Sequence, residues 1–286
     1  MKATVALLFA LILYLTANAF EKQSFVASTP ADAMEVRTFL NMPLTDSLDF
    51  IRWQLEMDAK TFKLKCRYGL CLPGTPGFRK EYRSDLEGEV NQSGKYFTLK
   101  SKNRTITLLK VNENILQLLD KNNQMLIGNG GWNYSLNNIH PVTVDEYNVT
   151  AKKLTVKGPL VFEGRTPCQE ISTMLGLNKG DACNKMKWYF IFYRDSSSGK
   201  PSYFLMGGMG YRKETMKRGT WQSTTENGRI VYQLTCDIWS RPLKLLKADD
   251  NTLFFTDNNC RLMVGNEDFS YTLSRRTTEY ARIEKN

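Results

Sequence analysis

The stretch that decides the fold is LLKVNENILQLLDKNNQMLIGNGGWNYSL, residues 108–136, because it occurs a second time in the chain. It aligns without a gap to LLKADDNTLFFTDNNCRLMVGNEDFSYTL, residues 245–273, with eleven identical residues in 29 positions. Farther from this match, Gly88-Glu89-Val90 aligns with Gly219-Thr220-Trp221. Duplication of one unit of roughly 110 to 125 residues, an ordinary domain size, explains the repeat. Because a unit of this size can bury its own core, we expect two tandem domains and not a solenoid.

Both copies have the pattern of antiparallel strands. Short runs of β-branched and aromatic residues are separated by Asn, Asp, Ser and Gly, which tolerate left-handed geometry and close hairpins. Regular spacing of the turns is typical of a meander that curls into a barrel. Residues 47–60 and 169–175 are predicted as short helices, because each segment follows a proline and repeats apolar residues at helical spacing. We therefore expect an all-β protein of two tandem small antiparallel β-barrel domains, lipocalin-like, with short helices.

The N-terminus has the three parts of a secretory signal peptide. Lys2 supplies positive charge, residues 5–15 form an apolar run, and Ala17-Asn18-Ala19 fits a small-x-small cleavage site. We expect a periplasmic or secreted protein that is not lipid-anchored, because no cysteine lies near the cleavage site. The predicted organisation is a signal peptide at 1–19, a first barrel at 20–139, a linker at 140–158 and a second barrel at 159–286.

Six cysteines in an exported chain favour a disulfide framework. Cys236 and Cys260 are both absent from the first copy, where Ser101 and Asn123 align with them, which favours a bond between the two. A tight turn is predicted between Cys66 and Cys71. A metal site is the alternative, but the chain has no CxxC and no histidine beside a cysteine. The expected bonds are Cys66–Cys71, Cys168–Cys183 and Cys236–Cys260.

The formal net charge of +10 favours anionic partners, and peripheral contact with an anionic membrane surface follows from it. The Lys and Arg residues are scattered with no run of five like charges, so a solvated basic surface is the competing interpretation. Nucleic acid is not an expected partner, because no binding motif for it is present.

No catalytic pattern stands out, and we expect the protein not to be an enzyme. His140 is the only histidine, so a Ser-His-acid device would have to use it, and no GxSxG motif accompanies it. The motifs HExxH and GxGxxG and the phosphate-binding P-loop are also missing.

The second copy carries a family resemblance. It opens with Phe162-Glu163-Gly164-Arg165-Thr166-Pro167-Cys168, continues through Gly219-Thr220-Trp221 and ends with Tyr271-Thr272-Leu273. This order resembles the lipocalin-like N-terminal domain of the NlpE-type copper-resistance proteins of bacterial envelopes, whose pattern begins G-x-x-P-C-x-x-C. The resemblance covers residues 162–275 and, more loosely, residues 88–136. It implies a small antiparallel barrel and a role in copper tolerance or envelope-stress sensing, with Pro167 and Cys168 as the family motif.

The chain departs from that motif at its metal-binding positions. Ile171 stands where the second cysteine of the CxxC would fall, and in the first copy Pro43-Leu44 takes the place of the proline and first cysteine. Thioethers suit Cu(I), although methionine is also a common core residue. We expect no cofactor and at most weak copper binding, for which the candidate ligands are Met206, Met209 and Met216.

The predicted function is binding or sensing at the bacterial envelope, with an envelope protein as partner. The alternative is a lipocalin-like carrier whose barrel holds a lipid or other apolar ligand. The barrel interiors distinguish the two functions, because large aromatic side chains that fill them would count against a carrier.

Overall fold

The computed structural model describes residues 22–44, 46–149, 158–178, 180 and 182–276. Within these residues the chain forms two closed barrels, each of eight antiparallel strands. The expected all-β fold of two antiparallel barrels with short helices is confirmed. The predicted signal peptide, residues 1–19, lies outside the described residues.

Barrel one uses consecutive strands as neighbours and closes where β8 pairs with β1. A single helix, α1, follows the first strand and packs against β6. The elements are β1 (Gln23–Pro30), α1 (Met34–Leu40), β2 (Phe50–Met57), β3 (Thr61–Cys71), β4 (Phe78–Ser93), β5 (Tyr96–Ser101), β6 (Arg104–Asn112), β7 (Ile115–Leu118) and β8 (Ser135–Asn138).

Barrel two repeats this order and closes where β16 pairs with β9. It adds one 3-10 turn, Lys213–Thr215, between its third and fourth strands. The elements are β9 (Leu160–Pro167), α2 (Gln169–Leu175), β10 (Lys185–Arg194), β11 (Pro201–Gly208), β12 (Lys217–Glu226), β13 (Arg229–Thr235), β14 (Leu243–Lys247), β15 (Thr252–Phe255) and β16 (Thr272–Arg275).

One of the two predicted helices is confirmed and the other is wrong. Helix α2 occupies residues 169–175 as expected. Residues 47–60 instead contain β2, which pairs with β1 along its full length. In its second half, buried Trp53, Leu55 and Met57 alternate with exposed Gln54 and Glu56, which is the two-residue period of a strand. Pairing on both sides of β2 overrides the helical spacing of its apolar residues.

The same buried tryptophan contact recurs in both barrels. Trp53 Nε1 donates to Thr29 Oγ1 at 2.8 Å, and Trp188 Nε1 donates to Thr166 Oγ1 at 2.9 Å. The two threonines are 137 residues apart, the offset of the long repeated stretch. The position equivalent to Cys168 is therefore Ala31, and the alignment of the family motif with Pro43-Leu44 is corrected.

The repeat also places equivalent residues opposite one another where the barrels meet. The Gly128 amide donates to Ser274 Oγ at 2.9 Å, and the equivalent Gly265 amide donates to Asn137 Oδ1 at 2.9 Å. Such reciprocal contacts are those of a two-fold interface. A buried apolar cluster drawn from both barrels lies beside them: Leu109, Val111, Ile115, Leu119, Val231, Leu246, Ala248, Phe254 and Leu262.

Candidate functional site

The family motif at the start of α2 is held in a disulfide. Cys168 is buried directly after β9 and is bonded to Cys183, with 5.7 Å between their Cα atoms. This predicted bond is present in the structure. Ile171, at the position of the missing second cysteine, is fully buried in the core of barrel two. Because the sulfur of Cys168 is bonded, the motif ties α2 to the barrel and offers no thiolate.

The predicted Cys66–Cys71 bond is wrong, and both thiols are free. Both residues belong to β3, which continues through the segment predicted as a tight turn. At about 3.3 Å per residue, an extended strand separates Cα atoms five residues apart by roughly 16 Å. A disulfide requires about 4.4 to 6.8 Å between Cα atoms.

The predicted Cys236–Cys260 bond is also wrong, because the two thiols lie near opposite ends of β13. Cys260 Sγ lies 2.8 Å from Glu226 Oε2 and 3.1 Å from Lys244 Nζ. Glu226 pairs with Arg229, the first residue of β13, whereas Cys236 follows its last residue. Burial and the Glu226 carboxylate raise the pKa of the Cys260 thiol.

The three candidate methionines do not share one face of barrel two. Met206 is fully buried inside the barrel. Gly207 faces the other side of β11, and a side chain built on it would meet the Met216 methyl group at 3.3 Å. Met209 packs against the core just after β11. In the described part of the chain, no group of three His, Cys, Asp or Glu side chains has metal-binding geometry.

Aromatic side chains occupy the interiors of both barrels. In barrel two, Phe192 contacts Trp221 with ring centroids 5.1 Å apart, and Phe190 contacts both Phe204 at 5.8 Å and Trp188 at 5.6 Å. The largest fully buried side chains in the core of barrel one are Trp53, Tyr134, Phe25, Phe39, Phe62 and Phe97. These rings fill the space in which a lipocalin-like carrier would hold its ligand.

Barrel one has an open strand edge. β4 is the longest strand and pairs with β3 from Phe78 to Glu89. Its pairing with β5 begins only at Glu89, so no strand among the described residues pairs with residues 78–88 on that side. A Cβ on Gly88 would lie 2.0 Å from the carbonyl oxygen of Lys100. Glycine therefore permits the close approach at the point where β4 diverges from β5.

The hydrogen-bond pattern identifies the backbone groups on this edge. The Val90 amide donates to the Lys60 carbonyl, next to β3. In an antiparallel pair the residues of one strand point their amide and carbonyl alternately to either side. Arg83, Asp85 and Glu87 therefore direct these groups away from β3, into the open edge.

A groove of about 600 Å³ lies between this edge and the turn that joins β5 to β6. Residues 83–87 form one wall, and Ser101, Lys102 and Arg104 form the other. Tyr68 and Leu86, which belong to or pack against the barrel core, and Leu40 and Asn41, at the end of α1, also line the groove.

One residue that lines the groove carries a buried donor without an acceptor. Among the described residues, Arg104 Nη1 is buried and has no hydrogen-bond partner. A tyrosine hydroxyl is protonated at neutral pH, and burial and the neighbouring Tyr82 raise the pKa of Tyr68 further. The groove therefore combines unpaired backbone, an uncharged hydroxyl and an unsatisfied guanidinium N–H.

None of the predicted site residues lines this groove, and the sequence prediction missed it. One weak signal was available: Phe78, Tyr82 and Leu86 recur at even positions of the charged segment before Gly88. Sequence alone does not show whether such an extension has a partner on both sides.

Comparisons with family models, with curated proteins and with solved structures found no match to this chain. The NlpE resemblance therefore depends on its motif order and stays a prediction. No described helix is long and apolar enough to cross a membrane.

Proposed function

We propose that this chain is an exported binding and sensing protein of the bacterial envelope, of NlpE-like type, that acts in copper tolerance or envelope stress by contacting a protein partner. The observation that supports it is the open edge of β4 beside a groove of about 600 Å³. Unpaired strand edges are surfaces at which another chain can add by main-chain hydrogen bonds.

The packing of the barrels favours a protein partner over an apolar cargo. Phe190, Phe192 and Phe204 are fully buried against one another inside barrel two. A carrier would need that volume for its ligand. The available recognition surface is instead on the outside of barrel one, where the open-edge amides and carbonyls of Arg83, Asp85 and Glu87 have no strand partner among the described residues.

Copper binding by the chain itself is weak in this proposal. The only cysteine of the family motif is held in the Cys168–Cys183 disulfide, and Met206 and Met216 lie on different faces of β11. Thioethers without a thiolate do not neutralise the charge of the ion. The net charge of +10 supports peripheral contact with an anionic membrane surface, where envelope partners are found.

The test uses a bacterial strain that encodes the protein. The gene is deleted and replaced by the wild type, by Asp85→Pro or by Asp85→Ala, and survival in copper and an envelope-stress reporter are measured. Proline removes the open-edge amide but no hydrogen bond to β3, whereas alanine keeps the amide and removes the carboxylate. We expect the deletion and Asp85→Pro strains to lose the response and the Asp85→Ala strain to keep it. Unchanged responses in the deletion strain would refute the proposal.

A further inference from the structure

We infer that the open edge of β4 recognises an extended peptide segment of another protein by strand addition, and that this segment carries an acidic side chain between apolar ones. The inference rests on the proposed function and names the chemistry of the partner at the same groove.

The backbone sets the shape of the ligand. Arg83, Asp85 and Glu87 each present one amide and one carbonyl to the open edge. Alternate residues of a strand are separated by roughly 6.6 Å, so only another extended chain matches the series. A peptide that pairs with these three residues would continue the sheet of β1 to β4 by one strand.

The groove sets the apolar part of the ligand. Side chains of an added strand alternate between the two faces of the sheet. On the inner face they would meet Tyr68 and Leu86, which line the groove next to the barrel core. An aliphatic or aromatic side chain there would remove apolar surface from water.

The charges that line the groove favour a carboxylate on the ligand. Arg104 Nη1 is buried and lacks an acceptor among the described residues, and a buried donor without a partner is destabilising. Lys102 adds a second cation on the same wall. Asp85 and Glu87 are exposed on the outer face of β4, because they alternate with the inward Ser84 and Leu86. An acidic side chain of the peptide would accept from Arg104 with charge assistance.

A second copy of this chain is the competing occupant, since two β4 edges can in principle pair. The groove favours the peptide, because the turn at Ser101, Lys102 and Arg104 stands opposite residues 83–87. Its volume of about 600 Å³ is within the range of sites for a small ligand or a short segment.

The experiment selects a phage-displayed library of random twelve-residue peptides on the mature protein. Synthetic copies of the enriched peptides are then titrated by fluorescence anisotropy. We expect enriched sequences with one acidic residue between apolar ones, and affinity that falls about tenfold or more in Asp85→Pro but not in Asp85→Ala. Circular dichroism of the two variants checks that both are folded.

A second pair of variants tests the carboxylate separately from the edge. Arg104→Gln should weaken the acidic peptide about tenfold, while a peptide with Gln in place of its acid should bind both proteins equally. Arg79→Gln changes an exposed arginine of the same strand that does not line the groove, and should leave affinity unchanged.

Three results would overturn the inference. They are a selection that enriches no peptide, peptides that bind Asp85→Pro as tightly as the wild type, and a wild-type dimer in sedimentation that Asp85→Pro dissociates. In each case the proposed envelope role is still decided by the deletion strain, so the two failures can be told apart.

Discussion

The two barrels use the same strand order, but their fourth strands extend past the fifth strand by different lengths. In barrel one, residues 78–88 of β4 extend beyond β5 and leave an open edge. In barrel two, only residues 217–219 of β12 extend beyond β13. Gly88 and Gly219 occupy the same place, since a Cβ on Gly219 would lie 2.3 Å from the Thr235 carbonyl. In both copies the fourth strand separates from the fifth at this glycine, but the part of the fourth strand before it is long in barrel one and short in barrel two.

Barrel two also covers this end with a loop that barrel one lacks. After β13 the chain places Trp239 against Phe204, with ring centroids 5.8 Å apart. The Ser240 amide donates to the Leu175 carbonyl at the end of α2, at 2.9 Å. The comparison indicates that barrel two is the closed, supporting unit and that barrel one keeps the accessible edge.

The helices are fixed by different chemistry as well. In barrel two the Cys168–Cys183 disulfide holds the start of α2. In barrel one Ala31 replaces the cysteine, and the buried side chain of Arg37 donates to four backbone carbonyls around α1. These are the carbonyls of Ala31, Pro43, Leu44 and Asp46. A disulfide in barrel two and a set of charge-assisted hydrogen bonds in barrel one therefore each fix the position of the helix.

The largest expected effect tests what the barrels share. Trp53→Ala and Trp188→Ala each remove a fully buried ring and its hydrogen bond to a threonine hydroxyl. Each should lower the free energy of unfolding by about 3 to 5 kcal/mol. Urea denaturation gives the size, and hydrogen exchange with mass spectrometry shows which barrel opens. A loss confined to one of the two variants would break the equivalence of the barrels.

The second effect belongs to barrel two alone. Cys168→Ala with Cys183→Ala opens a loop of sequence separation 15, and loss of its constraint should cost roughly 3 kcal/mol. A reducing agent should have the same effect on the wild type. Faster hydrogen exchange is expected in α2 and β10 but not in α1. Equal changes in both barrels would show that the bond stabilises more than its own domain.

The third effect is the counterpart in barrel one. Arg37→Met keeps the apolar stem but removes every donor to the carbonyls around α1. Hydrogen bonds from a charged group contribute about 1.5 to 3 kcal/mol, so a loss of that order is expected from urea denaturation. Arg79→Met, at an exposed position of β4, is the matched control and should change stability little. If Arg37→Met behaves like this control, the disulfide has no equivalent in barrel one.

The sequence predicted the secondary structure of the two copies unequally well. The repeated stretch predicted two barrels, and the Pro-Cys start with apolar Ile171 and Leu175 correctly indicated α2. The segment 47–60 failed, because its apolar spacing fits a helix while its strand pairing is long-range. β1 was missed because SFVASTP mixes small and polar residues, and the tertiary pairing with β2 determines its structure.

The disulfides and the candidate site show a similar limit. Counting cysteines predicted Cys168–Cys183 but also paired Cys66 with Cys71, since a strand through Arg67-Tyr68-Gly69-Leu70 depends on β2 and β4 as neighbours. The open edge of β4 was not predicted, because it depends on where β5 ends relative to Gly88. Local patterns indicate that a strand exists but not which of its edges lacks a partner.

The smallest effect concerns Cys66. Barrel one has this thiol in its interior, and barrel two has no cysteine at the equivalent position. Cys66 pairs with Trp53 across β2 and β3, whereas the residue paired with Trp188 in barrel two is Gly208. Burial, and to a lesser degree the charge of Asp85, raises the pKa of Cys66 well above its ordinary value of 9.0.

The unfolded chain therefore releases this proton above about pH 9 while the folded barrel retains it. Stability linked to Cys66 is complete below pH 9 and is lost as pH rises, by at most about 1.4 kcal/mol per pH unit. Urea denaturation of the wild type and Cys66→Ala between pH 7 and pH 10, under reducing conditions for both, should give curves that are parallel below pH 9 and converge above it. Curves that stay parallel throughout would mean that water reaches the thiol, and that the interior of barrel one is less closed than that of barrel two.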